Sequence, residues 1–440
     1  MRVHLHTFGC KANQYDTDRM RQELVARGAR PVDEPEAASL CIVNTCTVTR
    51  AADAEARRMV RRIRRRNPDA RIVVAGCSAA LHTDAYSAME GVSAVVPGHD
   101  PVAVARAGTS PEIVQIEDRR SLDRVDLEPV GGDVLRHRTG GTRGWLKIQD
   151  GCDRRCAFCA TRLARGSSRS READEVVREA RQLASRHPEI VLTGIHIGHY
   201  GRDLSATTTL GALVTRLLDE VPEVRFRLGS IEATEICDDL IARLEDSGGR
   251  LAPHLHMPLQ SGADPVLRAM RRWHTREAYR RCALEIAERV PILGLGADLI
   301  TGFPGETEAD HATTVALVED LPFTYLHVFP FSPREGTEAA TLAEECPVPQ
   351  RVAGERSRDL RERVERKGAA WARRRAGEEA IAVVERGESA LTGDYLRVGV
   401  APELTDRVGC LTRGVLQMGP SGLYIEISSG ARGRAPGASH

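Results

Sequence analysis

What the chain lacks narrows the field first. Its 440 residues carry no formal net charge, 62 basic side chains standing against 62 acidic ones. The protein is not globally basic, so any contact with nucleic acid has to come from local basic patches. No window approaches the roughly 18 uninterrupted apolar residues of a membrane helix. The N-terminus, MRVHLHTFGC, has no apolar run long enough for a signal peptide, and no internal repeat of useful length is present. A soluble cytoplasmic protein with no membrane partner is expected. In reducing cytosol, disulfides are a poor use for 11 cysteines. Metal binding, catalysis and core packing remain.

The hydrophobic pattern divides the chain into an α/β protein of several domains. In residues 1–118 short apolar strands (Val3–Phe8, Leu40–Asn44, Arg71–Ala75, Ser93–Val96) alternate with helical stretches, which predicts a small parallel α/β domain. Residues 119–143 are polar, rich in Arg, Gly and Asp, and read as a linker. Residues 144–370 hold six βα units in series, with strands at Trp145–Gln149, Ile190–Thr193, Arg225–Leu228, His254–Met257, Leu293–Ile300 and Tyr325–Phe329. That pattern predicts a partial (β/α)6 barrel, followed by a long charged helix from Pro349 to Arg375. Residues 371–429 alternate in period two, as in Ala380–Glu385, Tyr395–Val400 and Leu423–Ile427, and predict a small antiparallel β-barrel. The tail, 430–440, is expected to be disordered.

Two sets of cysteines carry the chemistry. Cys152, Cys156 and Cys159 have the spacing C-x3-C-x2-C directly after the first barrel strand, at the C-terminal end where barrel active sites lie. Three thiolates on one tight loop can ligate three irons of a cubane cluster and leave the fourth open. A zinc site would want four closed ligands, and no further Cys or His lies nearby in sequence. Cys10, Cys46 and Cys77 form a dispersed trio, each directly after a predicted parallel strand. The carboxyl ends of such strands lie on one edge of the sheet, where ligands bind. Gly9 and Gly76 precede two of these cysteines and allow close backbone approach. Cys41, Cys237, Cys282, Cys346 and Cys410 lack metal-type spacing and read as core or surface thiols.

The C-x3-C-x2-C loop resembles that of the radical S-adenosylmethionine superfamily. Together with NTCTVTRAAD from Asn44, LTGIHIGHYG from Leu192, RLGSIEATEI from Arg227, PHLHMPLQSG from Pro253 and ADLITGFPGET from Ala297, the whole chain resembles the methylthiotransferases. The resemblance implies two [4Fe–4S] clusters, ligated by Cys10, Cys46 and Cys77 and by Cys152, Cys156 and Cys159, and S-adenosylmethionine as cofactor. It implies a TRAM-like RNA-binding module at the C-terminal barrel and a low-potential electron donor such as flavodoxin or ferredoxin. It places Phe158 beside the adenine of S-adenosylmethionine and Thr193 and Gly194 at its methionine amino group. Glu232 is a candidate for its ribose, and Gln260 and Asp298 lie at later strand ends. No catalytic side chain beyond the cluster ligands is assigned. Of His254 and His256, one alone is expected to face the barrel interior.

GCKANQYDT at Gly9 and TGIHIGHYG at Thr193 resemble the branch that modifies C2 of N6-threonylcarbamoyladenosine at position 37 of the tRNA anticodon loop. The isopentenyladenosine branch, the branch acting on a ribosomal protein, and a non-catalytic RNA-binding iron–sulfur protein are the alternatives. Arg162 stands where the family usually has proline, which implies a different path for that loop. Basic stretches at Arg57–Arg66 and Arg373–Arg375 suit an RNA backbone.

Overall fold

A computed structural model describes residues 1–109, 130, 131, 133–136, 138 and 141–427. Most of the expected linker and the whole of the expected tail lie outside the described residues. The first sheet is parallel. Its strands Arg2–Thr7, Leu40–Thr45, Arg71–Gly76 and Val92–Pro97, with the two-residue strand Arg30–Pro31 at one edge, pair in the order 2-1-3-4-5. Leu40–Thr45 is buried along its whole length, as a strand covered by helices on both faces must be. In this order the direction of winding reverses between the first and third strands, which opens a crevice at their carboxyl ends.

Six parallel strands build the central unit: Gly144–Lys147, Glu189–Thr193, Arg225–Leu228, His254–His256, Gly294–Thr301 and Tyr325–Pro330. They pair as two three-stranded sheets, and bridges Phe226 to Leu251 and Ser230 to His256 join the halves into an open barrel. The covering helices start on threonine caps. Thr209 and Thr275 accept from the third residue on, and Thr307 forms a capping box with Asp310. The helix Gln350–Arg375 packs along the last strand.

The C-terminal unit is a closed five-stranded barrel. It differs from the expected antiparallel one, because Arg397–Val400 pairs parallel with Gly422–Glu426. The 3-10 turn Pro402–Arg407 and the strand Leu411–Gly419 intervene and return the chain in the same sense. This barrel seats on the central one at the amino-terminal ends of its strands. Arg225 donates to the carbonyls of Ile381 (2.7 Å) and Leu391 (3.1 Å), and Arg227 to those of Gly393 (2.8 Å) and Thr392 (2.9 Å). Tyr395 stacks on His254 at 4.3 Å. No described helix is long and apolar enough to cross a membrane.

Candidate active site between two cysteine trios

Each cysteine of the first trio follows a strand of the first sheet. Cys10 caps the helix Lys11–Ala26, Cys46 ends the strand beside the winding crevice, and Cys77 opens the short helix Cys77–Leu81. The three strands are neighbours in the sheet and Gly9 packs against Cys46, which places the three together. Gly9 and Gly76 have φ of +97° and +98°. A Cβ on Gly9 would meet Cys46 Sγ at 2.5 Å, and one on Gly76 the Thr45 carbonyl at 2.4 Å. The glycines are thus needed for the chain's own turn and packing, before any cluster is considered.

Every sulfur of both trios has an N–H donor aimed at it. Asn13 N–H bonds Cys10, Val48 N–H lies 3.5 Å from Cys46 Sγ, and Arg165 Nε donates to Cys77 Sγ at 3.3 Å, with His99 Nε2 at 3.4 Å. In the second trio Arg154 N–H bonds Cys152, Arg272 Nη1 lies 3.6 Å from Cys156 Sγ and Thr161 N–H lies 3.4 Å from Cys159 Sγ. Donors of this kind favour sulfur in its anionic form, the form that ligates metal. The donor sets therefore fit iron–sulfur clusters. Burial pushes the Cys46 and Cys152 thiols up to about 12 and raises Cys10 and Cys156. At Cys77 burial acts in the same sense, but Arg165 and His99 outweigh it and hold the thiol below its usual value.

A buried ionic bridge joins the two loops. Arg165 lies six positions beyond Cys159, at the end of the helix Thr161–Arg165. Its guanidinium holds Asp150 at 2.8 Å and Asp16 at 2.8 Å, and Lys147 Nζ reaches the same two carboxylates at 2.9 and 2.6 Å. All four side chains are at most 6 % exposed. Burial opposes ionisation of Asp16 and Asp150, but Lys147 and Arg165 overcome it and lower both. Asp16 belongs to the first domain and the other three to the second, so the bridge fixes one trio against the other. Sequence reading missed all four residues.

Other polar groups gather round the second trio. Arg272 touches Cys156 and pairs with Glu232. Burial pushes Glu232 up to about 7, against the pull of Arg272. No fourth ligand was legible beside the C-x3-C-x2-C loop, but in space His196 Nδ1 comes within 3.5 Å of Cys152 Sγ. Its other nitrogen meets Glu235 at 2.8 Å, with His199 stacked on it at 3.9 Å. The TGIHIGHYG motif contained both histidines without marking a role for them. Thr193 is buried at the end of its strand, and the chain after it is held by Gln149, whose Oε1 accepts from the N–H groups of Ile195 and His196. A Cβ on Gly194 would meet the Gln149 carbonyl at 2.7 Å. Phe158 packs beside Ala157, Phe303 and Phe331. Arg162 is the second residue of its helix, a position whose backbone also accepts proline.

Inside the barrel, Gln260 (φ +69°) pairs its backbone with Asp298. Asp298 lies 3.1 Å from His256 and 3.3 Å from His327, and their hydrogen bonds hold it well below the usual carboxylate range despite burial. The expectation for His254 and His256 is corrected. Residues two apart on a strand share a face, and both bond the Tyr325 hydroxyl, at 2.8 and 3.1 Å. Burial and the like charges of Arg143 and Arg227 push Lys11, also in this lumen, down to about 8.

The basic stretches divide. In the helix Arg50–Arg66, Arg58, Arg61, Arg62 and Arg65 are exposed and, among the described residues, without an ion-pair partner. In Arg373–Arg375, Arg373 and Arg374 are exposed, whereas Arg375 is buried against Asp394 at 3.1 Å and is not available to RNA.

Comparison with known proteins extends the picture. Residues 2–98 match the family described as "Uncharacterized protein family UPF0004", and residues 146–318 match the radical SAM superfamily. The threonylcarbamoyladenosine tRNA methylthiotransferase MtaB of Bacillus subtilis is 37% identical over 80% of this chain and 78% of its own. Its counterpart in Aquifex aeolicus is 32% identical over 90% and 96%. The tRNA-2-methylthio-N(6)-dimethylallyladenosine synthase of Anoxybacillus flavithermus is 30% identical over 90% and 75%. The radical S-adenosylmethionine methyltransferase TsrM from Kitasatospora setae shares the fold, with a TM-score of 0.53 at 18% identity over 78% of this chain and 76% of that one. A radical SAM domain brings a [4Fe–4S] cluster and S-adenosylmethionine with it. On its sequence and its fold, the chain belongs to the radical S-adenosylmethionine methylthiotransferase family.

Proposed function

We propose that the protein transfers a methylthio group to C2 of N6-threonylcarbamoyladenosine at position 37 of tRNA, giving 2-methylthio-N6-threonylcarbamoyladenosine. The observation that carries this reading is the reach of Arg165 from the second cysteine loop to Cys77 of the first. It sets two three-thiol groups against each other, as a reaction that needs both a radical and a sulfur donor requires. The 37% and 32% identity to the threonylcarbamoyladenosine enzymes of Bacillus subtilis and Aquifex aeolicus, against 30% to the dimethylallyladenosine synthase, supports the choice of base.

In this reading Cys152, Cys156 and Cys159 hold the radical cluster, and Cys10, Cys46 and Cys77 hold a second [4Fe–4S] cluster. When bound, the two clusters and two molecules of S-adenosylmethionine supply the radical and the methylated sulfur that polar acid–base chemistry cannot deliver to an unactivated carbon. The protein's side chains bind and orient. Phe158, Thr193, Gly194, Glu232, Gln260 and Asp298 form the S-adenosylmethionine site, with Glu232 toward the ribose. Residues 1–118 serve as the cluster domain, 144–370 as the radical domain and 371–429 as the RNA-binding barrel. The exposed arginines of Arg57–Arg66 grip the anticodon stem-loop through its phosphates, and a flavodoxin or ferredoxin in the cytoplasm supplies electrons.

Anaerobic reconstitution should give about eight irons per chain, the content of two cubane clusters. Replacing Cys152, Cys156 and Cys159 by Ala should halve it. Nucleoside mass spectrometry of tRNA from cells lacking the protein should show the threonylcarbamoyl nucleoside without its methylthio group. The mark should return with the wild-type gene and with neither triple-cysteine variant. An unchanged methylthio signal in the deletion strain would sink the proposal.

A further inference from the structure

The barrel lumen contains a cation, Lys11, that among the described residues has no ion-pair partner. Lys11 is the first residue of its helix and follows directly on Cys10. Its ammonium stands 5.8 Å from the centre of the Trp145 ring, and its electrostatic neighbours include Arg143, Arg227 and Glu189. Arg227, His254, Tyr325 and Tyr395 touch one another, and the first three sit on different strands around the barrel, so this group lies inside it. The lumen is open to solvent beyond them: His327 and Phe329, alternate residues of the last strand, are both exposed.

The acid among those neighbours is already engaged. Glu189 accepts from Arg225 at 2.6 Å and Arg227 at 3.0 Å, with Arg143 at 3.7 Å. Arg143 also pairs with Glu385 at 2.9 Å. The remaining donors of Arg225 and Arg227 go to carbonyls of the C-terminal barrel. Arg143, Arg225, Arg227 and Arg397 thus share two carboxylates, and among the described residues Lys11 beside them has no hydrogen-bonded or ion-paired partner. A half-buried ammonium with three rotatable donors beside surplus positive charge is a receptor for a carboxylate.

We infer that Lys11 binds the threonyl carboxylate of the N6 substituent and so selects the threonylcarbamoyl group over uncharged substituents. This rests on the substrate reading given above. The chemistry of adenine connects the two ends. C2 and N6 lie on the same edge of the ring, separated by N1. A base whose C2 faces the trio of Cys10 and whose N6 edge turns into the lumen carries its substituent toward Lys11, which stands there beside Trp145. The dimethylallyl group is a hydrocarbon and would leave the ammonium desolvated without a partner. That rejection is the stronger half of the selectivity, because an unpaired buried polar group costs more than a paired one gains.

The test uses anaerobically reconstituted full-length protein and labelled anticodon stem-loops. The loops carry the threonylcarbamoyl acid, its neutral methyl ester or the dimethylallyl group. Wild type and Lys11→Arg should bind the acid about ten- to a hundredfold more tightly than the ester, the range of a charge-assisted hydrogen bond. Lys11→Met, checked for unchanged iron content, should bind acid and ester alike. If Lys11→Met keeps the wild-type preference, Lys11 is not the receptor. A wild type that prefers the acid to the dimethylallyl loop yet does not separate acid from ester overturns the inference without any variant, and leaves the substrate reading standing. A wild type that prefers the dimethylallyl loop overturns the substrate reading, and the role of Lys11 with it.

Discussion

Arg165 shows how much can depend on one side chain that sequence reading passes over. Its cysteine neighbours announce themselves, because a thiol after an apolar strand, twice preceded by glycine, is a local pattern. Arg165 has no local pattern. The partner that accounts for its burial, Asp16, lies 149 positions away, and among the arginines around it nothing in composition marks one as interior. A buried ion pair is weak evidence of net stability but expensive to break from one side. Arg165→Met should therefore cost about 3–5 kcal/mol of folding free energy, since it leaves Asp16 and Asp150 sharing Lys147 alone. The check is the denaturation midpoint. Arg165→Lys should recover part of the loss but not all, because an ammonium cannot span both carboxylates and Cys77 as the fork of a guanidinium does. If Arg165→Met unfolds at the wild-type midpoint, the bridge does not hold the domains together.

At the scale of elements, the strands were the most legible part. All six barrel strands fall within two residues of their expected ends, because short β-branched, aromatic and alternating segments such as RFRL and HLH recur between helical stretches. The short helices Thr161–Arg165, Asp264–Ala269 and Glu338–Glu345 were not anticipated, being too brief to establish a 3.6-residue period. Nor were the strands Ser389–Thr392 and Leu411–Gly419, whose residues alternate only weakly. The junction of strand and helix at Gly9–Cys10 offers a test of element geometry. Gly9 and Gly28 both have positive φ, +97° and +82°, but a Cβ at Gly28 meets nothing within 4 Å. Gly28→Ala should cost about 1 kcal/mol of stability, the conformational price alone. Gly9→Ala should displace Cys46 as well and lower the iron retained by the first trio, measured against the Gly28→Ala protein. Equal iron in the two variants would mean that the approach of Gly9 to Cys46 has no bearing on the site.

For the whole molecule, Glu189 is the pin between the second and third units. It orders Arg225 and Arg227, which in turn hold four carbonyls of the C-terminal barrel. Burial would raise its pKa, but Arg225, Arg227 and Arg143 outweigh burial and bring it to about 2, against an ordinary 4.5. A folded-state value below the unfolded one means stability that is complete above pH 4.5 and disappears as the pH falls toward 2. The shift corresponds to about 3 kcal/mol. Glu189→Gln should be less stable than wild type by an amount of this order at neutral pH, with the gap closing as acid is added through that window. A gap that stays constant from neutral to acid would show that the carboxylate's charge is not what matters. The same junction decides how the barrel can be used. Tyr395 and the Thr392–Gly393 backbone close one end of it, and the first domain stands along its open side, pinned there by Arg165. What remains is a shaft with a floor. A base turned out of an RNA loop would enter that lumen past the exposed His327 and Phe329 rather than through the end that Tyr395 covers.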